Sequence, residues 1–179
     1  RAKHVFTEWK SKSQDVSLAF CVSRKHADYM ADYFNQQGVA AASVHSDSSL
    51  TRSEALEKLN NGKIKILFSV DLFNEGVDLP KIDTVLMLRP TESKILFLQQ
   101  MGRGLRKSEG KDRLIILDFV GNHHSFLNRP EMLFASILDG PQNRREMVDL
   151  AKNANKLLPD GCYVNFDLEF IDFLTSISQ

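Results

Sequence analysis

The chain has 179 residues, 42% of them hydrophobic, and its 23 basic and 23 acidic side chains leave no formal net charge. That length buries a real core and suggests one domain with an appended piece, while the neutral balance excludes a polyanion-binding surface made by bulk charge. Any nucleic-acid contact must therefore come from a local groove.

Apolar runs such as ILFL at 95–98 and LIIL at 114–117 fall far short of the ~20 residues of a membrane span. With no signal-like opening, the cytoplasm is the expected compartment and no membrane partner is expected. Cys21 and Cys162 lack metal-ligand spacing and read as free thiols. The start at Arg1 rather than Met suggests a piece of something longer.

In chain order, apolar and β-branched runs at 16–22, 39–44, 64–70, 82–88 and 113–120 read as buried strands. Between the first two, Ala27, Met30, Ala31 and Phe34 recur at helical spacing and Gly38 supplies a stop. Before the third, Thr51 and Glu54 form a capping box, Ala55, Leu56 and Leu59 an apolar stripe, and Gly62 the end of a second helix. Thr91 can cap a third, from Glu92 to about Met101. Strands alternating with crossover helices predict an α/β fold, a parallel sheet covered by helices on both faces, with ligands gathering at the strands' carboxyl ends. After about residue 122 the pattern turns helical. Met147, Leu150, Ala151, Ala154 and Leu158 make one stripe, and Leu168, Ile171, Leu174 and Ile177 another. The expected division is a sheet domain over 1–122 and a helical extension over 123–179, packed on it or on another domain.

The chain carries no GxxxxGK[ST] phosphate loop, since NGKIK at 61–65 has neither the first glycine nor the hydroxyl residue. GRG at 102–104 is not a dinucleotide fingerprint, because Lys107 stands where the third glycine belongs and the segment follows a helix. Two guanidiniums three residues apart, Arg103 and Arg106, can both address one cluster of phosphate oxygens, and Gly102 and Gly104 leave room for close approach. An exposed basic turn running on through Lys107, Lys111 and Arg113 is the alternative.

In SVDLFNEGVDLP, 69–80, Asp78 can accept from ribose hydroxyls and Gly76 permits backbone approach, or the segment is a strand-to-loop turn. Ser23 and Arg24 follow the first strand at a helix start, where free N–H groups attract anions, or they are an ordinary cap and a solvated side chain. His45, Ser46 and Asp47 repeat that placement, with His45 either a backbone contact or a structural hydrogen-bonder. His123 and His124 lack the neighbours of a metal site, and no metal is expected.

Taken in order, FCVSRKHA, VHSDSS, SVDLFNEGVDLP and QQMGRGLR resemble the successive motifs of the second RecA-like domain of superfamily 2 helicases and translocases, over about residues 16–122. EGVDLP and QQMGRGLR are most similar to the group of excision-repair helicases and type I and III restriction motors. They are less similar to DEAD-box proteins, whose last motif usually has an arginine where this chain has Gln100. The resemblance implies that Arg106 is the arginine finger reaching the γ-phosphate of ATP, Arg103 its neighbouring phosphate contact and Gln99 the motif's leading glutamine. It implies that Gly76 and Asp78 meet the ribose, and that Ser23, Arg24, His45 and Ser69 lie near the nucleic-acid backbone, of DNA or RNA. The family places the phosphate loop, the Mg²⁺-binding acidic motif and the catalytic base on a preceding N-terminal RecA-like domain. By that resemblance this chain is half of an active site, and ATP and Mg²⁺ are bound mainly by the other half. A non-catalytic nucleic-acid-binding or scaffolding module on the same fold is the alternative.

Overall fold

The computed structural model describes residues 1–70, 81–89, 113–119, 144–158, 163–166 and 168–176. The chain divides into two compact units, Arg1–Gly121 and Asn122–Gln179.

The first unit is built on five parallel strands, β1 (Ser17–Phe20), β2 (Ala41–Val44), β3 (Ile66–Ser69), β4 (Thr84–Met87) and β5 (Ile115–Asp118), in the spatial order β2-β3-β1-β4-β5. The register sets Val44, Ser69, Phe20, Met87 and Asp118 side by side across the sheet's carboxyl edge. β1, β3 and β4 are buried throughout, as continuous apolar runs in the middle of a parallel sheet should be, whereas β2 and β5 at the edges are partly open. The expected parallel α/β architecture is therefore the observed one.

Helix α2 (Arg24–Gln36) carries the chain from β1 over β3 to β2, and α3 (Arg52–Asn60) brings it back to β3. Right-handed crossovers in opposite directions place these helices on opposite faces. The apolar stripe of α2, Ala27, Met30, Ala31 and Phe34, is buried as its spacing predicts, and Gly38 follows at φ 81°, in the left-handed region that favours glycine. α3 opens on the full capping box: Glu54 N–H donates to Thr51 Oγ1, and Thr51 N–H to the Glu54 carboxylate.

A helix that the strand-and-stripe reading missed opens the chain: α1, Ala2–Lys12. Ala2, Val5, Phe6 and Trp9 line one face of it, and all pack into the core with α2 and with Ala19, Ile66, Phe68 and Leu86 of the sheet. Phe6 and Trp9 meet Phe34 edge-on at 5.0 and 5.1 Å between ring centroids, and Phe34 meets Phe68 at 5.1 Å. These are favourable quadrupolar geometries inside a cluster whose area burial already dominates.

In the second unit, helices α4 (Arg144–Leu157) and α5 (Leu168–Ser176) pack together through Met147, Val148, Ala151 and Leu174, with Leu150, Val164, Phe166 and Phe170 around them. The buried face of α4 takes in Val148 beside the expected Met147 and Ala151. No helix among the described residues is long and apolar enough to cross a membrane.

Candidate nucleic-acid interface at the carboxyl edge of the sheet

Four of the expected site residues fall among the described ones, and the register brings all four to one edge. Ser69 ends β3, Ser23 and Arg24 follow the end of β1, and His45 follows the end of β2. Cys21 N–H donates to the Ser69 carbonyl at 2.8 Å, continuing the β1–β3 pairing one step past the strands. Gly76, Asp78, Gln99, Arg103, Arg106 and the helix expected after Thr91 lie outside the described residues.

Ser23 is the N-cap of α2. Its Oγ accepts from His26 N–H at 3.2 Å, and a hydroxyl that accepts in this way still has a hydrogen to donate. The turn before it is closed by Val22 N–H donating to His26 Nδ1 at 3.4 Å, with the imidazole titrating below its ordinary value because it is partly desolvated and faces Arg1. The first turn of α2 holds Arg24 and Lys25, both exposed, and no acid. That is the reverse of what the helix dipole favours, and it suits a site where the compensating negative charge comes from elsewhere. Part of it comes from the β2 loop: the Arg24 guanidinium pairs with the Asp47 carboxylate and reaches Ser46 Oγ at 3.5 Å.

His45 sits differently from its neighbours. Its side chain is only 7% exposed, its Nε2 is 2.9 Å from Asp28 Oδ1, and its Nδ1 accepts from Asp47 N–H at 3.2 Å. Both ring nitrogens are thus engaged within the chain, the structural hydrogen-bonding role that a histidine at a strand end most readily fills. Ser48 Oγ accepts from His45 N–H at 3.2 Å, completing a tight turn.

Ser69 is fully buried, and among the described residues its Oγ has no hydrogen-bond partner. A desolvated hydroxyl left unsatisfied costs stability, which makes Ser69 a candidate for a positioning role at the strand's carboxyl end. Cys21, next to it, is a free, buried thiol pushed up to about 12 by desolvation, hence inert as a nucleophile. Among the described residues no group of three or more His, Cys, Asp and Glu could hold a metal ion. An open groove of about 460 Å³ runs between α1 and α2, lined by Lys3, Phe6, Thr7, Lys10, Ser11, Tyr33 and Gln37, and none of the expected site residues lines it.

Comparison with known proteins adds the family. The model described as helicase conserved C-terminal domain matches residues 2–108, a span that covers all four motifs. Among curated proteins, the chain is 36% identical over 113 residues to IRC3 of Saccharomyces cerevisiae, a protein with a provisional assignment as an ATP-dependent helicase, covering 63% of this chain and 16% of that one. It is 32% identical over 96 residues to UvrABC system protein B of Enterococcus faecalis, covering 50% of this chain and 14% of that one. The match thus spans about a sixth of the first relative's length and a seventh of the second's.

The fold is shared with the E. coli DEAD-box protein SrmB, at TM-score 0.61 and 19% identity over 72% of this chain and 75% of that one. It is shared equally with the C-terminal domain of the DEAD-box protein Dbp5, at TM-score 0.62 and 18% identity over 75% and 77%. The chain belongs to the helicase conserved C-terminal domain family, with the parallel, helix-covered sheet of its RecA-like members.

Proposed function

We propose that this chain is the C-terminal motor lobe of an ATP-dependent DNA helicase or translocase, supplying the arginine finger and part of the track for the nucleic-acid backbone. The observation that carries this reading is the carboxyl edge of the sheet. There a helix N-terminus with two cations and no acid lies one strand away from a buried serine hydroxyl that has no partner among the described residues. Such a surface offers hydroxyl, backbone N–H and guanidinium donors to phosphate oxygens and nothing that reads base edges, so binding should be largely independent of sequence.

In this reading Ser23 and Arg24 hold the backbone, the buried Ser69 positions the strand end beneath it, and His45 holds the loop that faces it. ATP with Mg²⁺, held mainly by a preceding RecA-like domain, supplies the phosphoryl group whose transfer to water drives movement. Arg106 and Arg103 place positive charge where negative charge builds on that group, a contribution worth ~10³ to 10⁵ in rate for arginine fingers generally. Gln99, Gly76 and Asp78 complete the nucleotide side of the cleft. The match to the family model through residue 108 supports these assignments, because it carries both arginines. The test is nucleic-acid-stimulated ATP hydrolysis by the protein in which this chain follows that first domain, with and without Arg106→Ala.

A further inference from the structure

Asp28 carries no role in the motifs above, yet it anchors the hydrogen-bonded ring behind Arg24. It stands one helical turn after Arg24 on α2, so the two side chains share a face of the helix. Asp28 Oδ1 accepts from Ser43 Oγ at 2.5 Å and from His45 Nε2 at 2.9 Å. An imidazole whose Nδ1 accepts from Asp47 N–H must carry its hydrogen on Nε2, and the Asp28 carboxylate is the acceptor that selects this tautomer. Asp47, held by that contact, pairs with Arg24. The ring therefore runs from Arg24 to Asp47, to His45, to Asp28 and back along α2.

We propose that Asp28 is a positioning residue for the nucleic-acid track: acting through His45 and Asp47, it fixes the guanidinium of Arg24 for contact with a backbone phosphate. This rests on the track reading above. The buried imidazole supplies the rigidity that an exposed Arg–Asp pair lacks alone, since long exposed side chains otherwise sample many rotamers. Simple charge predicts the opposite effect for Asp28, because removing a negative charge near a polyanion strengthens binding.

The test measures binding of a single-stranded oligothymidine to the 179-residue chain across a salt series, together with ¹⁵N NMR of the His45 ring. Arg24→Ala is expected to reduce the salt slope by about 0.7, the loss of one single-strand phosphate contact. Asp28→Ala is expected to lose a comparable increment, to bind more weakly than wild type despite its lost negative charge, and to show a mixed His45 tautomer. Asp28→Asn, which removes the same charge but keeps a carbonyl oxygen to accept, is expected to retain the slope and the Nε2–H tautomer. Asp28→Ala with a wild-type slope or tighter binding, while Arg24→Ala loses slope, overturns the proposal and leaves the track reading standing. An unchanged slope in Arg24→Ala, or no salt-sensitive binding by the wild-type chain, overturns the track reading and the proposal with it.

Discussion

The Trp9 indole N–H donates to the Ser17 hydroxyl at 2.8 Å within the core, tying α1 to the first residue of β1. Both residues are buried, so neither polar group has water to fall back on. Ser17→Ala strands the indole donor and should cost about 1–3 kcal/mol. Trp9→Phe strands the hydroxyl, removes part of a ring packed against Phe34 and should cost at least as much. In urea unfolding of a double-mutant cycle, the two losses should sum to more than the double variant loses.

Asp83 organises the entry to the sheet in the same way. Its Oδ2 accepts from the N–H groups of Asp15 and Val16 at 2.8 and 3.0 Å, and its Oδ1 from Thr84 Oγ1 at 2.8 Å. Asp83 is buried just before β4, and these bonds link that strand to the segment leading into β1. Asp83→Ala leaves two backbone donors unsatisfied and should lower stability by about 2–4 kcal/mol, read as a fall in the urea midpoint with an unchanged m-value.

Asp28 gives a prediction for pH. Its carboxyl titrates below the ordinary 3.8, chiefly through the Ser43 hydroxyl; desolvation opposes that effect, and the His45 ring lowers the value further. A folded value below the unfolded one means that this contribution is complete above the ordinary value and is lost as pH falls through the folded value. The stability difference between wild type and Asp28→Ala should therefore narrow below pH ~4. Urea midpoints across an acid series check this; a gap that widens on acidification contradicts it.

Ser69→Ala separates stability from function. Removing a buried hydroxyl that has no partner among the described residues should leave the unfolding free energy within about 0.5 kcal/mol of wild type, or raise it. Oligonucleotide affinity should nevertheless fall, because the hydroxyl is assigned to positioning the strand end beneath the backbone track. A variant that loses stability and keeps its affinity would show that the hydroxyl is structural.

Much of the sheet was legible in the sequence because strands buried on both faces read as unbroken apolar runs. The helix stops at Gly38 and Gly62 were equally plain, each at positive φ, 81° and 70°. α1 was not legible in that way: Arg1 makes no side-chain cap bond, and Lys3, His4, Thr7 and Glu8 interrupt the stripe of Ala2, Val5, Phe6 and Trp9. Ser23 and Arg24 stood out because a strand end followed by a cap is a local signal. Asp28 did not, since its role depends on the end of β2 arriving beside the second turn of α2, a tertiary fact that no spacing within either segment encodes. The burial of His45 and of the Ser69 hydroxyl was hidden for the same reason.

The proposed role of the chain as half of a motor rests most directly on Arg106. The decisive measurement is ATP turnover, with and without single-stranded nucleic acid, by the protein in which this chain follows a first RecA-like domain. Arg106→Ala is expected to lower stimulated turnover by ~10³-fold or more while nucleotide affinity stays close to wild type. Turnover within a few-fold of wild type would contradict the arginine-finger assignment and, with it, the proposal that this chain completes an ATPase site.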